Sequence, residues 1–369
     1  MSESNGGKDY KQNMLNKNVD LNGKTILITG AAGFIGANLS RVLLTMFEDI
    51  KIIGVDNLND YYDVSLKEYR LEQIRQEQKG ASSEFIFQKG SLADKVFIDQ
   101  IFAEYQPEVV VNLAAQAGVR YSITNPDAYL ESNVIGFYNI LEACRHSYDD
   151  GKKGVEHLVY ASSSSVYGSN KKIPYSTEDK VDNPVSLYAA TKKSNELFAH
   201  AYSKLYDIPS TGLRFFTVYG PAGRPDMAYF GFTDKLVKNE TIKIFNYGNC
   251  KRDFTYIDDI VKGIVEVMQR SPLSNEDGVR YKVYNIGNNK PENLLDFVEI
   301  LQEELKAAKV LPQDYDFEQH KELVGMQPGD VEVTYADVEE LEKDFGFKPS
   351  TSLRDGLKKF AQWYRNYQA

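Results

Sequence analysis

Residues 24–36 read KTILITGAAGFIG, a β-branched apolar run that passes into a glycine-rich turn. Gly30, Gly33 and Gly36 suit a tight strand-to-helix turn whose backbone can closely approach a pyrophosphate. The segment that follows, ANLSRVLLTMF, has the apolar spacing of a helix. The free amides at the start of such a helix would point at the phosphates. The stretch therefore predicts the first strand, turn and helix of a dinucleotide-binding sheet.

Further apolar runs follow at similar intervals and are separated by helical segments. They are KIIGVD (51–56), FIFQKG (85–90), VVVNLAA (109–115), HLVYASS (157–163) and STGLRFF (210–216). The runs are continuously apolar, which is typical of parallel strands covered on both faces. Each parallel return needs a crossover, and the helical segments supply it. The pattern predicts an α/β fold with a Rossmann-type doubly wound parallel sheet.

The composition changes after residue 216, where glycines, prolines and aromatic residues become frequent. We expect a smaller mixed α/β C-terminal substrate domain over the carboxyl edge of the sheet. The predicted organisation is a polar N-terminal extension (1–22), an NAD-binding Rossmann domain (23–216) with returns near 253–268 and 281–287, and a substrate-binding domain (217–252 and 288–369).

Charge and composition narrow the class of protein. The formal net charge of -10 argues against nucleic acid as a partner. Two cysteines, Cys144 and Cys250, give no disulfide framework and suit the cytoplasm. The four histidines show no metal-ligand spacing, so we expect no metal. No apolar run is long enough to span a membrane, and the N-terminus is too polar for a secretory signal.

The second apolar run ends in an acid, Asp56, within GVDNLND. Its carboxylate can accept hydrogen bonds from an adenosine ribose diol and would repel a 2′-phosphate, which favours NAD over NADP. The alternative is a helix-packing turn followed by a loop aspartate. A glycine-rich turn after a β-branched run, with an acid at the end of the next strand, is much more specific than the turn alone. We therefore predict NAD as the cofactor.

Tyr188 and Lys192, in SLYAATKKSNE, form a candidate catalytic pair. Four residues apart on a helix, they share a face. A lysine ammonium lowers the pKa of a neighbouring phenol, so a phenolate base becomes feasible near neutral pH. Alone, the spacing also fits an ordinary amphipathic helix. The pair gains weight because it follows a strand ending in serines, in a chain with a dinucleotide turn.

At this point the chain resembles the extended short-chain dehydrogenase/reductase family, from about residue 24 to the C-terminal region. The resemblance rests on GAAGFIG, NLAAQAG (112–118), YASSSSVYG, the Tyr188/Lys192 pair, RFFTVYGP (214–221) and RDFTYIDD (252–259). It implies a nucleotide-sugar substrate and tightly held NAD. It also implies a homodimer formed by helices like 127–145 and 188–205.

The resemblance also implies roles for individual residues. Ser163 matches the catalytic serine or threonine that hydrogen-bonds the reacting sugar hydroxyl, and Arg252 matches the arginine that grips a nucleotide diphosphate. Ser91 departs from the family pattern, because relatives often carry aspartate there, beside the adenine. The predicted cofactor-binding residues are Gly30, Gly33, Phe34, Ile35, Gly36, Asp56, Asn57, Ala114, Ala115, Asn133, Tyr188 and Lys192.

The stretch LVYASSSSVYG (158–168) places four serines after an apolar run. Relatives that dehydrate a 4-keto sugar carry Asp-Glu at the positions of Ser164 and Ser165, and relatives that decarboxylate a keto uronate carry glutamate at the position of Ser165. Serine cannot act as a general acid near neutral pH, and it places no carboxylate against an anionic substrate. We interpret Ser163 as catalytic and the next two as neutral donors to the sugar. The alternative is that these hydroxyls cap the neighbouring turn.

Three further stretches resemble epimerases that act at C4 of UDP-glucuronate: DNLNDYYDVSLK (56–67), QAGVRYS (116–122) and GRPDMAYF (223–230). In those enzymes the residues matching Arg224 and Thr217 hold the sugar carboxylate. A guanidinium offers a planar fork that matches a carboxylate. The alternative for Arg224 is a surface loop charge. Arg120 is a second candidate for the same anion, and its alternative is a salt bridge to Asp127 or Glu131.

Together these features predict a cytoplasmic enzyme that interconverts UDP-glucuronate and UDP-galacturonate through a transient 4-keto sugar. Two alternatives use the same fold, namely UDP-hexosamine 4-epimerisation and UDP-glucuronate decarboxylation. A more remote alternative is a non-catalytic NAD-binding sensor. A sensor has no use for an activated phenol, so Tyr188, Lys192 and Ser163 count against it.

Overall fold

The computed structural model describes residues 14–326 and 332–368. Its centre is a seven-stranded, fully parallel sheet with the strand order β10-β6-β5-β4-β1-β2-β3. The strands are β1 (Thr25–Thr29), β2 (Lys51–Asp56), β3 (Glu84–Lys89), β4 (Val109–Asn112), β5 (His157–Ser163), β6 (Ser210–Phe215) and β10 (Tyr281–Ile286). The chain reverses its direction of travel across the sheet between β1 and β4, where open α/β sheets bind their ligands.

Helices connect these strands. They are α1 (Phe34–Met46), α2 (Val64–Gln78), α3 (Lys95–Tyr105), α4 (Tyr121–Thr124), α5 (Pro126–Tyr129), α6 (Gly136–His146) and α7 (Leu187–Tyr206). A π-helical segment, Leu130–Ile135, joins α5 to α6. The sequence indicates one continuous helix here. π-helical turns inside α-helices are rare and are frequently found at functional sites.

The later part of the chain forms a smaller mixed sheet and several helices. The strands are β7 (Thr217–Tyr219), β8 (Ile242–Ile244), β9 (Lys251–Tyr256), β11 (Pro291–Asn293), β12 (Lys321–Leu323) and β13 (Val333–Thr334), and the helices are α8 (Ala228–Val237), α9 (Ile257–Met268), α10 (Leu294–Ala307), α11 (Glu339–Phe345) and α12 (Leu353–Gln368). Strand β9 pairs with β7, β11 and β13, while β8 pairs with β12. Of the segment 253–268, the strand part joins this small sheet and α9 packs against α1. The exact domain boundaries stay a prediction.

Alternate residues of the central strands lie in two separate apolar clusters. Ile26 and Ile28 of β1 belong to one cluster, with residues of α1 and α9. Leu27 belongs to the other, with Ile98 of α3 and Phe137 of α6. Because side chains alternate across a strand, a sheet with helices on both faces buries every residue of its central strands. This explains the continuous apolar runs, and the predicted doubly wound fold is confirmed.

Helix α2 has no counterpart among the predicted helices. Its buried side chains include Lys67 and Arg70 together with Leu66, Leu71 and Ile74. Two cations on the inward face interrupt the apolar stripe that would otherwise mark an amphipathic helix. The cations are buried because polar groups of neighbouring loops receive their hydrogen bonds.

Residues 1–13 of the predicted N-terminal extension lie outside the described residues. The part that follows packs on the body of the protein, since Val19 and Leu21 are buried and the Leu15 amide donates to the Asp344 carbonyl (2.8 Å). None of the described helices is both long and apolar enough to cross a membrane.

Candidate active site

A cleft opens at the carboxyl edge of the large sheet, where the connections after β1 and β4 diverge. Most predicted site residues line it. They are Gly30, Gly33, Phe34, Ile35, Gly36, Asp56, Asn57, Ala114, Ala115, Ser163, Tyr188, Lys192 and Arg224. These residues come from the carboxyl ends of β1, β2, β4 and β5 and the connections that follow them, from α7, and from the loop between β7 and α8, so the fold brings them together around one space. Their roles in binding remain predictions.

The glycine-rich turn at one end of this cleft has the features that a pyrophosphate needs. Gly30 has a φ of +70°, and a Cβ there would lie 2.8 Å from the Ala114 backbone nitrogen. Helix α1 begins after Gly33 with no side-chain cap and no acid in its first turn. The first amides of α1 are therefore available to an anion, which the helix dipole also favours.

Asp56 ends β2 directly beside this turn. Its buried carboxylate accepts the Ala32 amide through Oδ2 (3.2 Å) and the Leu58 amide through Oδ1 (2.9 Å). Nearby, Lys67 Nζ donates to the carbonyl and side-chain oxygens of Asn59 (2.7 and 2.8 Å). Burial lowers the pKa of Lys67. The carboxylate thus stands in the cleft beside the phosphate-binding turn, and these residues fit an adenosine dinucleotide.

Tyr188 lies in the first turn of α7, a helix whose start is capped by the Ser186 hydroxyl accepting the Ala189 amide (3.1 Å). The ring of Tyr188 packs edge-on against Tyr129, with centroids 5.9 Å apart. Burial raises the pKa of the Tyr188 phenol. A hydrogen bond with Ser163 and the charge of Arg224 oppose this rise. These two groups favour the ionised phenol, whereas the negative charge of Asp226 adds to the rise of the pKa.

Lys192 lies one turn further along α7 and is buried. Its Nζ donates to the Ala161 carbonyl of β5 (3.0 Å), and burial lowers its pKa to about 8. In this structure the lysine is anchored to the strand that carries Ser163, and the cation that lowers the pKa of Tyr188 is Arg224. The predicted electrostatic help from Lys192 to the phenol thus stays a prediction.

The serine run divides between the strand and the turn that follows it. The Ser163 hydroxyl accepts the Ser165 amide (3.2 Å) and the Ser165 hydroxyl (2.9 Å), and it caps a short 3₁₀ turn over Ser164–Tyr167. Capping and cleft exposure therefore coexist at Ser163, which also lines the cleft. Ser164 and Ser165 lie outside the lining, and their contact with a sugar stays a prediction.

The hydroxyl of Ser162 belongs to a buried charged network. Its hydroxyl donates to Glu196 Oε1 (2.7 Å), and Arg214 donates to both Glu196 oxygens from Nε and Nη2 (2.8 Å each). Burial alone would raise the pKa of Glu196, but Arg214 lowers it. The network joins the ends of β5 and β6 to α7 one turn beyond Lys192. It holds the two elements that carry the candidate catalytic residues.

Arg224 lies in the loop between β7 and α8. Its Nε donates to Asp226 Oδ1 (3.0 Å) and its Nη2 to Asp226 Oδ2, while the Tyr61 hydroxyl donates to the same Oδ2 (3.2 Å). Arg70 of α2 fixes the same loop from behind, through the carbonyls of Ala222 and Gly223 (both 2.8 Å). Arg224 is therefore fixed by hydrogen bonds in the cleft. The alternative, a charge on a surface loop, does not describe it.

Four other predicted residues lie away from the cleft lining. Asn133 is buried. Its Oδ1 accepts the Gln116 amide (2.8 Å), and its Nδ2 donates to the Gln116 carbonyl (3.0 Å) and to the Thr191 hydroxyl (3.1 Å), so it links the loop after β4 to α7. Thr217 begins β7. Arg252 donates to backbone carbonyls in the small sheet, and Arg120 lies over the ring of Phe245 (5.1 Å). Their proposed contacts with ligand stay predictions.

Several cleft residues were not among the predicted ones. They include Asn59, Tyr61, Tyr62, Lys67, Ser132, Ser162, Phe215, Phe216 and Met227. Asn59, both tyrosines and Lys67 belong to DNLNDYYDVSLK, a stretch already singled out for its resemblance, so a signal was present for them. Ser132 had none, and it lies within the π-helical segment.

The model of the GDP-mannose 4,6 dehydratase family matches residues 27–360. The chain belongs to this family. The membership confirms the predicted resemblance to short-chain dehydrogenases/reductases and the prediction that the chain is an enzyme.

Similar proteins include Protein CapI of Staphylococcus aureus, 50% identical over 93% of this chain and 98% of that protein. UDP-glucuronate 4-epimerase 4 of Arabidopsis thaliana is 44% identical over 94% of this chain and 76% of that protein. A crystal structure of UDP-glucuronic acid 4-epimerase from Bacillus cereus, in complex with UDP-glucuronic acid and NAD, is 29% identical with a TM-score of 0.77. It covers 93% of this chain and 99% of that chain.

Proposed function

We propose that this protein epimerises UDP-glucuronate at C4 to UDP-galacturonate, with NAD as a bound cofactor and a transient 4-keto sugar. One observation carries the proposal: Arg224, a cation suited to a sugar carboxylate, lines the same cleft as Tyr188 and Ser163. Its positive charge also lowers the pKa of the Tyr188 phenol. The likeness to UDP-glucuronate 4-epimerases supports the choice of substrate.

Different residues of the cleft would bind the cofactor, transfer the proton and stabilise the C4 oxygen. NAD held at the glycine-rich turn and Asp56 would supply the hydride acceptor and donor for C4. Tyr188 as phenolate takes the proton of the 4-hydroxyl, and the Ser163 hydroxyl donates to the oxygen as it becomes a carbonyl. After the 4-keto sugar has turned within the cleft, Tyr188 returns the proton to the C4 oxygen. Lys192, anchored on β5, keeps a positive charge beneath the site.

The chemical hazard of this route is decarboxylation, because the 4-keto sugar carries its ketone β to the carboxylate. The bond to carbon dioxide breaks easily only when it overlaps the carbonyl π system. Arg224 and Thr217 would hold the carboxylate in the plane where this overlap is poor. The serines at positions 164 and 165 place no negative charge against it.

We also propose that two copies associate through α6, α7 and the π-helical segment. These elements expose several large apolar side chains in the single chain: Leu130, Ile135, Tyr138, Leu197, Phe198 and Leu205. The three elements pack against one another, and exposed apolar side chains grouped on neighbouring helices are typical of a protein interface. A homodimer would bury them, and we expect the dimer to work in the cytoplasm.

The test is nuclear magnetic resonance of purified protein with UDP-glucuronate and no added cofactor. We expect UDP-galacturonate to accumulate and denatured protein to release NAD. Mainly UDP-pentose would instead show a decarboxylase, and a preference for UDP-N-acetylhexosamines would show a hexosamine epimerase. A requirement for added NADP would mean that the interpretation of Asp56 is wrong. NAD retention without turnover of any UDP-sugar would favour the sensor.

A further inference from the structure

The arginine assigned to the sugar carboxylate already holds a carboxylate of the protein itself. Arg224 binds Asp226 through two of its nitrogens, Nε to Oδ1 (3.0 Å) and Nη2 to Oδ2. Both side chains are partly accessible to solvent, at 24% and 30%, and Arg224 lines the cleft. This pairing can act in two ways. Asp226 can compete with the ligand carboxylate for Arg224, or it can hold the guanidinium in the orientation that the ligand needs.

The geometry of the pair favours the second role, in which Asp226 orients the guanidinium for the ligand. A guanidinium presents two forks, a side fork made by Nε and Nη2 and a terminal fork made by Nη1 and Nη2. Asp226 occupies the side fork only. Within residues 14–326 and 332–368, Nη1 of Arg224 makes no hydrogen bond. The terminal fork can therefore take a second carboxylate in a two-point contact while Asp226 remains in place.

Asp226 also accepts a hydrogen bond from a second loop. The hydroxyl of Tyr61, in the loop after β2, donates to its Oδ2 (3.2 Å). Burial raises the pKa of Tyr61 to about 12, so the phenol remains a donor over the working pH range. The Tyr61 ring packs on Tyr121, with centroids 4.8 Å apart. The guanidinium is thus joined through Asp226 to the loop beside the cofactor turn.

We propose that Asp226 is a positioning residue for recognition of the sugar carboxylate: it fills the side fork of Arg224, fixes the guanidinium plane and leaves only the terminal fork for the ligand. Tyr61 completes this brace. The inference rests on the proposed function and deepens it. A fixed guanidinium loses less rotamer entropy on binding than a free one. A fixed guanidinium also fixes where the carboxylate is bound, and this helps to hold the C5–C6 bond near the plane of the C4 carbonyl, where it overlaps the π system poorly.

The test measures binding in a Tyr188→Phe background, so that the ligand is not turned over. Calorimetry compares UDP-glucuronate with UDP-glucose, which lacks the carboxylate. Asp226→Asn should weaken UDP-glucuronate about tenfold, the loss expected for one charge-assisted contact, and should leave UDP-glucose nearly unchanged. Asp226→Glu keeps the charge and should restore part of the loss. Asp60→Asn removes a charge from the neighbouring exposed loop without touching Arg224, and it serves as the matched control.

A double-mutant comparison separates positioning from general damage. If Asp226 acts through Arg224, then Asp226→Asn should have almost no effect on UDP-glucuronate once Arg224 is Ala. Tighter UDP-glucuronate binding by Asp226→Asn would show that Asp226 is a competitor, and the inference would be wrong. Equal weakening of both nucleotide sugars, or an unchanged loss in the Arg224→Ala background, would also overturn it. If the parent protein shows no preference for UDP-glucuronate, the proposed function fails and this inference falls with it. If the parent prefers it and Asp226→Asn does so equally, only the inference fails.

Discussion

Glu196 and Arg214 form a two-point ion pair beside the end of β5, with Nε and Nη2 of the arginine each 2.8 Å from a carboxylate oxygen. Both side chains are almost fully buried, at 2% and 3% accessibility. The pair lies between α7 and β6, and Ser162 of β5 adds a third hydrogen bond (2.7 Å). Tyr188 and Ser163 are carried by two of these three elements, so the pair fixes the distance between them.

Removing one partner of this pair should be costly, because it leaves an uncompensated buried charge. We expect Glu196→Ala to lower the free energy of unfolding by about 3–5 kcal/mol. The measurement is urea unfolding followed by circular dichroism. Glu68→Ala, an exposed glutamate on α2, is the matched control and should change stability little. Equal effects of the two variants would show that the pair does not hold these elements together.

The lowered pKa of Lys192 makes a prediction about pH. The pKa is about 8 in the folded protein and about 10.5 when the chain is unfolded. Between these values the unfolded chain binds more protons, so this group makes the folded state more stable as pH rises. Lys192→Met should therefore be more stable than wild type at pH 7, and the difference should shrink from pH 8 towards pH 10.5. Unfolding of protein stripped of nucleotide measures it, with the exposed Lys180→Met as the control. A difference that stays constant with pH would argue against a charged, buried ammonium.

Tyr188→Phe should abolish most activity while the fold is retained. The ring still packs edge-on against Tyr129, but the proton acceptor is lost. We expect epimerisation to fall by roughly 10²–10⁴-fold, the usual contribution of a general base. NMR turnover assays and the NAD content of the purified variant provide the measurement and its control. Turnover within a few-fold of wild type would remove Tyr188 from the mechanism.

Arg224→Ala should weaken uronate turnover and also change the product. Without the guanidinium the carboxylate can turn until its bond to C5 overlaps the C4 ketone, so part of the remaining turnover should yield UDP-pentose. Ser165→Glu should act in the same direction, because a carboxylate there repels that of the sugar. Chromatographic product ratios give the readout, with wild type expected to form little pentose. A variant that loses rate with no pentose would show that Arg224 binds the sugar without protecting it.

The sequence by itself determined the class of fold and much of the site. KTILITGAAGFIG predicted the first strand and turn. Asp56 was recognisable because it ends the next apolar run, and Tyr188 because it lies four residues before Lys192. These features can be recognised from the sequence because each depends on a few neighbouring residues: a glycine allows a turn, an apolar run makes a buried strand, and a four-residue spacing defines a helix face. The continuous apolar runs also indicated that helices cover both faces of the sheet.

Only the tertiary structure decided which side chains meet. Arg70 and Lys67 interrupt the apolar face of α2, so the sequence shows no clear helical pattern there, and carbonyls of distant loops receive the buried guanidinium of Arg70. The pairing of Arg224 with Asp226 and Tyr61 joins the loop after β7 to the loop after β2, 165 residues apart in the case of Tyr61 and Asp226. Such contacts depend on where the sheet places the ends of its strands. Local propensity carries no information about that placement, because it is set by packing over the whole chain.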